Sequence, residues 1–362
     1  MLKRDKIIYT AIITAALLVA AILVKPKSTV SPEPMNGHAT DSINYQPSTI
    51  TLFFAGDIML SRNVADKIYK AGDFSLPFKN VLEQISQSDI SFANLESPFN
   101  DEGRHFVPNS LAFNADPKSV AGLTAAGFDV LAAANNHSLD QGQEGLNFTY
   151  ALLKAHDILP VGTGANCHEG VLITQDETKF GFLAYSYAAF NDGGPPRLDG
   201  ESRLGEKSNP LVCNWNDTAS VAQDIQSLKL KANFVIVSAH MGTEYQRKPD
   251  AVNVERVHQA IEAGADLFVG HHPHWIQTIE QYKGKWIFYS LGNFVFDQMW
   301  SQETREGLTV TITFEKEKIK KIELKPVIIE DYCCPRWANE EESLAILKKI
   351  GLTNAILVDK ND

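Results

Sequence analysis

The sequence predicts an α/β protein in which helices cover a largely parallel sheet. From residue 49 onward, short apolar runs alternate with amphipathic stretches, and metal-binding side chains follow five of the apolar runs. Hydrophobic residues make up 44% of the chain and charged residues 21%, which is the balance of a globular protein. Strand patterns that alternate with helix patterns are typical of parallel sheets, because each parallel pair needs a crossover connection.

Each predicted strand is a short apolar run that ends in polar residues. The strands lie at residues 49–55, 90–93, 130–134, 234–239 and 267–269. Helical candidates lie between them, at residues 78–87, 117–126, 145–155, 218–229 and 252–263. Later segments at 285–290, 308–314 and 319–329 are joined by short turns such as Lys283-Gly284 and predict a second, more antiparallel sheet. Two sheets flanked by helices are therefore expected.

The first 24 residues carry a membrane signal. Lys3, Arg4 and Lys6 precede an apolar run at residues 7–24, which as a helix would span about 27 Å of hydrocarbon. The basic flank predicts a single-pass protein of the cell membrane with most of the chain extracytoplasmic. Lys25 and Pro26 follow the run without a small-x-small cleavage site, which favours a retained anchor. A cleaved signal peptide is the alternative, and it also predicts export.

Composition divides the chain into five segments. Residues 1–6 form the basic flank, 7–24 the transmembrane anchor, 25–48 a flexible linker rich in Pro, Ser, Thr and Asn, 49–330 the main domain and 331–362 a C-terminal extension. The extension contains a helix candidate at 341–350 without a chemical signal, and we expect it to pack against the domain.

The net charge of -11 argues against nucleic-acid binding. Phosphate backbones are bound by clustered Lys and Arg, and no basic stripe follows the first six residues. An acidic protein can still bind anions if metal ions supply the local positive charge.

The four cysteines are compatible with an oxidising compartment, but they lack the C-x-x-C spacing of zinc sites. A bridge between the adjacent Cys333 and Cys334 would be strained. We therefore expect each of them to pair with a distant partner or to stay free. Whether Cys213 meets Cys333 or Cys334 is open at this stage.

Metal-binding side chains follow the predicted strands in turn. In chain order they are Asp57, Glu96, Asn136 with His137, His240, and the group His271, His272 and His274 around Pro273. The carboxyl ends of parallel strands meet at one edge of a sheet, where open α/β folds bind ligands. Each residue alone has an ordinary explanation, such as a helix cap, a loop acid or a core histidine. Their repetition after five strands predicts that they converge.

The residue types predict the chemistry of this edge. Carboxylates and a carboxamide oxygen suit hard divalent cations, and imidazoles suit Mn, Fe, Co or Zn. We expect two divalent metal ions (Mn, Fe or Zn) if one carboxylate bridges them. Such a pair activates water and holds both the attacking and the leaving oxygen of a phosphoryl group. Histidines without this context are expected to be surface residues: His38, His105, His156, His168 and His258.

Six short stretches contain these polar residues and their neighbours. They are residues 54–60 (FAGDIML), 93–98 (ANLESP), 134–140 (ANNHSLD), 239–245 (AHMGTEY), 270–274 (GHHPH) and 289–297 (YSLGNFVFD). Through them the sequence resembles the CapA/PgsA family of capsule poly-γ-glutamate biosynthesis proteins, within the calcineurin-like metallophosphoesterase superfamily. The likeness covers about residues 50 to 330, in the family's order, and the N-terminal membrane segment is matched as well.

The resemblance implies a four-layer α/β/β/α metallophosphoesterase-like sandwich that helps to make or export an anionic γ-linked glutamate polymer. It implies that Asp57, Glu96, Asn136, His240 and His274 bind metal, with Glu96 as the bridge and His272 or His271 completing the set. His137 would be the general acid or charge stabiliser. Candidates for substrate contact or support of the ligands are Asn94, Glu244 and Asn293.

Two positions depart from the superfamily pattern. The usual Asp-x-His after the first strand reads Asp57-Ile58-Met59, so one imidazole is missing, and the usual Gly-Asp of the second motif reads Leu95-Glu96.

The site and the resemblance leave three functions open. The first is metal-assisted hydrolysis or transfer at a phosphoryl or amide centre during capsule production. The second is a membrane-anchored accessory subunit that acts with other capsule polymer synthesis subunits and retains the site for metal or polymer binding. The third is a general exported phosphoesterase. The expected partners are thus the membrane, those subunits, and an anionic polymer or phosphoester substrate.

Overall fold

A computed structural model describes residues 49–187, 211–316 and 318–357. The predicted anchor at 7–24 and the linker at 25–48 lie outside these residues. All described elements belong to one compact unit, Pro47–Asp362. Within the described ranges, no helix has the length and the apolar composition needed to cross a membrane.

The described strands form a nine-stranded and a six-stranded sheet. In chain order the strands are β1 (Thr49–Ile58), β2 (Ile90–Leu95), β3 (Val130–Ala132), β4 (Leu159–Val161), β5 (Val171–Gln175), β6 (Thr178–Ser186), β7 (Phe234–His240), β8 (Leu267–His271), β9 (Ile279–Tyr282), β10 (Lys285–Phe288), β11 (Asn293–Val295), β12 (Glu306–Glu315), β13 (Lys318–Glu330), β14 (Cys334–Trp337) and β15 (Ile356–Leu357). The first sheet has the order β14-β13-β12-β1-β2-β3-β4, with β11 beside β1 and β15 beside β13. The second has the order β5-β6-β7-β8-β10-β9.

The first sheet is antiparallel on the β14 side and parallel on the β4 side, whereas the second is parallel at its centre and antiparallel at both edges. Strands β1 to β4 pair in parallel, and so do β6, β7, β8 and β10. The described helices are α1 (Arg62–Ala71), α2 (Leu82–Ser86), α3 (Val120–Ala126), α4 (Gly142–Ala155), α5 (Thr218–Lys229), α6 (Ala251–Ala263), α7 (Gln302–Arg305) and α8 (Glu340–Lys349). The predicted α/β class with two sheets is confirmed.

The two sheets pack face to face. Phe54 of β1 and Phe92 of β2 belong to an apolar cluster that also contains Phe182 of β6, and the rings of Phe92 and Phe182 stack with centroids 5.8 Å apart. On the other face of the first sheet, Phe53 packs in a cluster with residues of α1 to α4. On the other face of the second sheet, Val237 packs in a cluster with residues of α5 and α6. The layers are therefore helix, sheet, sheet and helix.

The prediction that the later strands form a separate antiparallel sheet is wrong. Strand β10 pairs in parallel with β8 and extends the second sheet, whereas β12 pairs antiparallel with β1 and joins the first. The long hairpin of β12 and β13 thus continues the sheet that carries β1. Alternating apolar patterns identify strands, but they do not show which sheet edge a strand pairs with. Helix α8 matches its predicted range and contributes Ile346 and Leu347 to the cluster between the sheets.

The expected distant pairing of Cys333 and Cys334 is also wrong. These two residues form a disulfide with each other at the turn between β13 and β14, and Cys167 pairs with Cys213. The packing explains this result, because Cys333 lies on the helix-covered face of the first sheet. Cys167 and Cys213 lie on the helix-covered face of the second sheet, so both sheets separate the two pairs.

Candidate metal centre

The carboxyl ends of β1, β2, β7 and β8 carry the centre. Asp57 in β1 lies opposite Asn94 in β2 in the sheet register, and His240 in β7 lies opposite His271 in β8. The backbone of β1 comes very close here to the chain before β11. A Cβ on Gly56 would lie only 1.9 Å from the carbonyl oxygen of residue 292, so this position requires glycine. Side chains from both sheets therefore project into one space, as expected for the carboxyl edge of parallel strands.

The carboxylate of Glu96 lies among three imidazoles. Its Oε1 atom lies 3.9 Å from Nε2 of His137, 3.7 Å from Nε2 of His240 and 3.8 Å from Nε2 of His274. The side chain is completely buried, and neither carboxylate oxygen accepts a hydrogen bond. A buried carboxylate without a partner is strongly destabilising. A cation held between the oxygen and the ring nitrogens would remove that penalty.

Asp57 is fully buried and is held by its neighbours. Nδ2 of Asn94 donates a hydrogen bond to Oδ1 at 2.8 Å, and the backbone N–H of His272 donates to Oδ2 at 3.3 Å. Nδ1 of His271 lies 3.2 Å from Oδ1, and Nδ1 of His274 lies 3.7 Å from Oδ2. Burial alone would raise the pKa of Asp57, but His271, His274 and Asn94 together lower it. Asp57 is therefore a carboxylate at neutral pH.

Three of the surrounding imidazoles, those of His240, His272 and His274, are held in their neutral form. Burial brings the pKa of His240 well below its usual value, and the neighbouring histidines lower it further. Burial and His274 lower the pKa of His272 to about 4, and burial lowers the pKa of His274. Nδ1 of His272 lies 3.1 Å from Nε2 of His240. Neutral imidazoles at this spacing retain lone pairs that can bind a metal ion.

Glu96 has the opposite electrostatic environment. Burial raises its pKa well above the usual range, and the negative charges of Asp57 and Glu244 raise it further. Without a cation the carboxyl group therefore favours its protonated form. A metal ion would displace that proton, because metal ligands bind in their deprotonated state.

The donor atoms fit a divalent metal ion. Ligand atoms of Asp57, Glu96 and His240 all lie within 4.8 Å of one another. Besides Glu96, Oδ1 of Asn136 and Nε2 of His271 are buried without a hydrogen-bond partner. Carboxylate, amide oxygen and imidazole together suit Mn, Fe or Zn. The cysteines are not available as thiolates, since all four are joined in disulfides.

His137 is positioned by a short network next to the centre. Its Nδ1 lies 2.6 Å from Oδ2 of Asp140, which also accepts a hydrogen bond from the backbone N–H of Phe113. The ring of Phe113 stacks on the imidazole with centroids 3.8 Å apart. Oδ1 of Asn135 accepts the backbone N–H of His137 at 3.1 Å. With Nδ1 held by Asp140, Nε2 is directed towards Glu96 and is available for proton transfer or charge stabilisation.

A cavity of about 620 Å³ opens beside His137 and His274. Arg62 and Asp297 form an ion pair on one wall, and Arg62 lies over the ring of Phe113 at 4.7 Å. Tyr245 lies on the opposite side, stacked against His274 with centroids 6.0 Å apart. The centre is thus accessible to a ligand that enters through this cavity.

The three predicted substrate contacts lie at different depths. Asn94 is completely buried, and its Nδ2 contacts both Asp57 and Nδ1 of His240. Asn293 is also buried, and its Oδ1 lies 2.9 Å from Nδ1 of His274. Their contacts in this structure orient side chains that could bind a metal ion. Glu244 is exposed and lines the cavity, where it can reach a ligand.

Met59 is completely buried and packs in the apolar cluster beneath α1 to α4. Its sulfur accepts the backbone N–H of Ser61. It therefore supplies no imidazole at the position where the superfamily pattern has one.

Sequence reasoning missed several residues that support the site. Asn135 and Asp140 flank the predicted pair Asn136-His137, and their nearness in the chain was a usable signal. Arg62 and Asp297 are 235 residues apart and had no such signal.

Comparison with known proteins identifies a family. The family model described as bacterial capsule synthesis protein PGA_cap matches residues 51–298. PGA biosynthesis protein CapA of Bacillus subtilis (strain 168) is 29% identical over 288 residues, which cover 79% of this chain and 73% of that protein. Capsule biosynthesis protein CapA of Bacillus anthracis is 29% identical over 338 residues, which cover 91% of this chain and 78% of that protein.

A solved structure described as a novel phosphatase of Mycoplasma pneumoniae is 15% identical to the chain, with a TM-score of 0.49. The match covers 78% of this chain and 95% of that one.

Proposed function

The chain belongs to the bacterial capsule synthesis protein family PGA_cap, and from this premise we propose that it is a metal-dependent phosphoesterase-type protein of capsule polymer production or export. The names of the Bacillus relatives support a role with a γ-linked glutamate polymer. The metal centre, the reaction and the location of the protein are parts of the proposal.

The observation that carries the proposal is the environment of Glu96. A buried carboxylate without hydrogen bonds lies 3.7 to 3.9 Å from three imidazole nitrogens. Ordinary cores avoid such an arrangement, because the buried carboxylate loses its hydration without gaining a hydrogen bond. A divalent cation would supply the missing partner.

We infer that the centre would hold two divalent metal ions. The ligands would be Asp57, Glu96, Asn136, His240, His272 and His274, with Glu96 placed among the imidazoles. His271 contacts Asp57 from the side of β8 and could complete the set. Bound metal supplies positive charge that activates a water molecule and stabilises the oxygens of a phosphoryl group.

The protein's own residues perform the remaining steps. Asp140 holds Nδ1 of His137, so that Nε2 is directed to the reacting group and can donate a proton to a leaving oxygen. Asn293 fixes the ring of His274 through Nδ1, which directs Nε2 towards Glu96. Phe113 excludes water from one face of His137.

We also propose that residues 7–24 anchor the protein in the cell membrane and that the described domain is extracytoplasmic. The basic flank and the apolar run of the sequence support this placement. The two disulfides agree with an oxidising compartment. Partner subunits of a polymer synthesis complex would then meet the protein at the membrane.

Met59 favours a second candidate function. With one imidazole replaced by a buried thioether, the centre could bind metal or a polymer carboxylate without turnover. The protein would then be an accessory subunit of a synthesis complex.

One set of measurements separates the two functions. The purified full chain, loaded with Mn²⁺, is analysed for metal content and assayed against generic phosphoesters beside His137→Ala and the control His156→Ala. Turnover that His137→Ala alone abolishes supports the enzyme, and metal content without turnover supports the accessory subunit. Absence of bound metal contradicts the metal centre and both forms of the proposal that use it.

A further inference from the structure

The cavity beside the metal centre carries charges of its own. Among the described residues that line it, the acidic and basic residues apart from histidine are Arg62, Glu244 and Asp297. Arg62 is matched by Asp297, with which it forms an ion pair. Glu244 forms no ion pair within the described part of the chain, so it leaves the cavity wall negative. A polymer with a carboxylate on every unit would be repelled there.

The same cavity offers an aromatic surface. The side chain of Trp300 is 61% exposed at the cavity mouth. Tyr245 meets it edge to face with centroids 4.8 Å apart, and the hydroxyl of Tyr245 accepts a hydrogen bond from Nε2 of Gln298. Tyr245 thus contacts Trp300 while most of the Trp300 side chain stays exposed. An exposed, supported indole ring presents a flat face on which another ring can stack.

Besides its apolar side chains, the cavity wall includes groups that can form hydrogen bonds. Asn63, Asn109 and Gln298 present amide groups to the cavity, and the carboxylate of Glu244 is an acceptor. Amides and a carboxylate beside an aromatic face suit a neutral ring that bears hydroxyl groups. Hydroxyls donate to these acceptors and add no charge to a wall that is already negative.

We propose that this cavity binds an uncharged, hydroxyl-bearing ring attached to the phosphoryl group of the substrate. The ring stacks on Trp300 and donates hydrogen bonds to Glu244, while the phosphoryl group lies at the metal centre. The substrate class is therefore a phosphorylated sugar, free or within a nucleotide, rather than a stretch of the anionic polymer. This inference rests on the phosphoryl chemistry of the proposed function.

Binding of hydrolysis-resistant probes to the Mn²⁺-loaded full chain tests the inference. Methylphosphonate is the reference, and the probes are the methylenephosphonate analogues of glucose 1-phosphate and of adenosine monophosphate, and γ-linked triglutamate. We expect the glucose analogue to bind about 10-fold more tightly than methylphosphonate. In Trp300→Ala that advantage should fall to about 2-fold, and Trp300→Phe should retain most of it. Leu230→Ala, which removes an exposed apolar side chain elsewhere, is the control.

The other outcomes are equally decisive. An equal gain for the glucose and adenosine analogues supports the shared hydroxylated ring, whereas a gain for the adenosine analogue alone assigns the cavity to a base and overturns the inference. Equal affinity for the glucose analogue and methylphosphonate, or tighter binding of triglutamate, overturns it as well. Binding of no probe also overturns it, and the metal content then decides separately whether the metal centre of the proposed function stands.

Discussion

Glu96 is the residue on which the chemistry of the centre depends. Its carboxyl group is buried, lacks hydrogen bonds and faces three imidazoles. A charge in such a place requires a counter-charge, and the neutral imidazoles of His240 and His274 do not supply one. Metal binding and the protonation of Glu96 therefore exclude each other.

Glu96→Gln should separate metal binding from folding. The amide keeps the shape of the protonated carboxyl group but cannot supply a negative charge to a cation. We expect metal affinity to fall at least about 10-fold, while the stability of the metal-free protein changes by less than about 1 kcal/mol. Elemental analysis and thermal unfolding of the metal-free form measure the two effects. Glu340→Gln, at an exposed site in the first turn of α8, is the control. Full metal content in Glu96→Gln would show that this side chain is not a ligand.

Asp140→Asn should reduce turnover without releasing metal. Asp140 accepts the hydrogen bond that fixes the orientation and tautomer of His137. An asparagine in its place can turn its NH2 group, a donor, towards Nδ1 and so favour the other tautomer. We expect a decrease in kcat of about 100-fold or more. The measurement is Mn²⁺-dependent hydrolysis of a generic phosphoester together with metal content. Asp176→Asn, in the exposed turn between β5 and β6, should leave both unchanged. A normal rate in Asp140→Asn would mean that His137 needs no such positioning.

His272 should make the metal-free protein sensitive to acid. The unfolded chain protonates this histidine near pH 6.5, whereas burial and His274 lower its pKa to about 4 in the folded protein. Between these values the unfolded state binds more protons, so stability is present above pH 6.5 and is lost as the pH falls towards 4. The full loss is about 3 kcal/mol.

The titration of Glu96 affects stability in the opposite direction and would mask part of this effect. Comparison with His272→Gln isolates it, because the variant loses the titration of His272 and keeps that of Glu96. The raised pKa of Glu96 favours the folded state at low pH, and its contribution weakens as the pH rises. Urea unfolding of both proteins at pH 7 and pH 5 is the measurement. The wild type should lose more stability than the variant on acidification, and equal losses would contradict the assigned environment of His272.

The carboxyl ends of parallel strands meet at one edge of a sheet, and this rule explains why the sequence could predict so many residues of the centre. Asp57, His240 and His271 stand at or next to the last positions of buried strands, and parallel strands bring such positions together. The rule carries no information about partners that lie far apart in the chain. The ion pair of Arg62 with Asp297 depends on the packing of α1 against the segment after β11, which periodicity does not describe.

Among the elements, β1 determines the shape of the centre. It pairs with β2, β11 and β12, so its end is fixed on both sides. Gly56 and Gly270 permit close backbone approaches beside Asp57 and His271. A Cβ at Gly56 would lie 1.9 Å from the carbonyl oxygen of Gly292, and one at Gly270 would lie 2.0 Å from that of Tyr289.

Gly270→Ala should therefore damage both stability and metal binding. The methyl group has no room beside a backbone oxygen, so β8 must move away from the chain after β10 and take His271 and His272 with it. We expect a loss of more than about 3 kcal/mol in the free energy of unfolding, or no folded protein. Gly72→Ala is the control. Gly72 has a left-handed backbone, but an added Cβ there would meet no atom within 4 Å, so the expected loss in the free energy of unfolding is about 1 kcal/mol. Denaturant unfolding measures both, and similar losses in the two variants would contradict the packing at β8.

The helices show where local sequence was sufficient. Helix α5 occupies the predicted residues, and α6 begins one residue early, because amphipathic spacing and an aspartate before the first turn define them locally. The hairpin of β12 and β13 was assigned to the wrong sheet. Its partner β1 lies more than 200 residues earlier in the chain, and no local pattern encodes that pairing.

At the scale of the whole molecule, the centre lies where the two sheets meet. Asp57 and Glu96 belong to the first sheet and the loop after β2, whereas His240 and His272 belong to the second sheet and the loop after β8. The apolar cluster between the sheets already holds these layers together. A metal ion with ligands from both sheets would add a second connection at their carboxyl edge.

Metal should consequently stabilise the entire domain against unfolding. A ligand that binds only the folded state at 100 times its dissociation constant adds about 2.7 kcal/mol to the free energy of unfolding. We expect Mn²⁺ to raise the Tm of the purified protein and a chelator to reverse the increase. Because the connection needs both sheets, Asp57→Asn and His240→Gln should each remove most of the increase, although one residue comes from each sheet. His156→Gln is the control and should retain it. An increase that survives in either ligand variant would mean that the metal binds within one sheet or at another site.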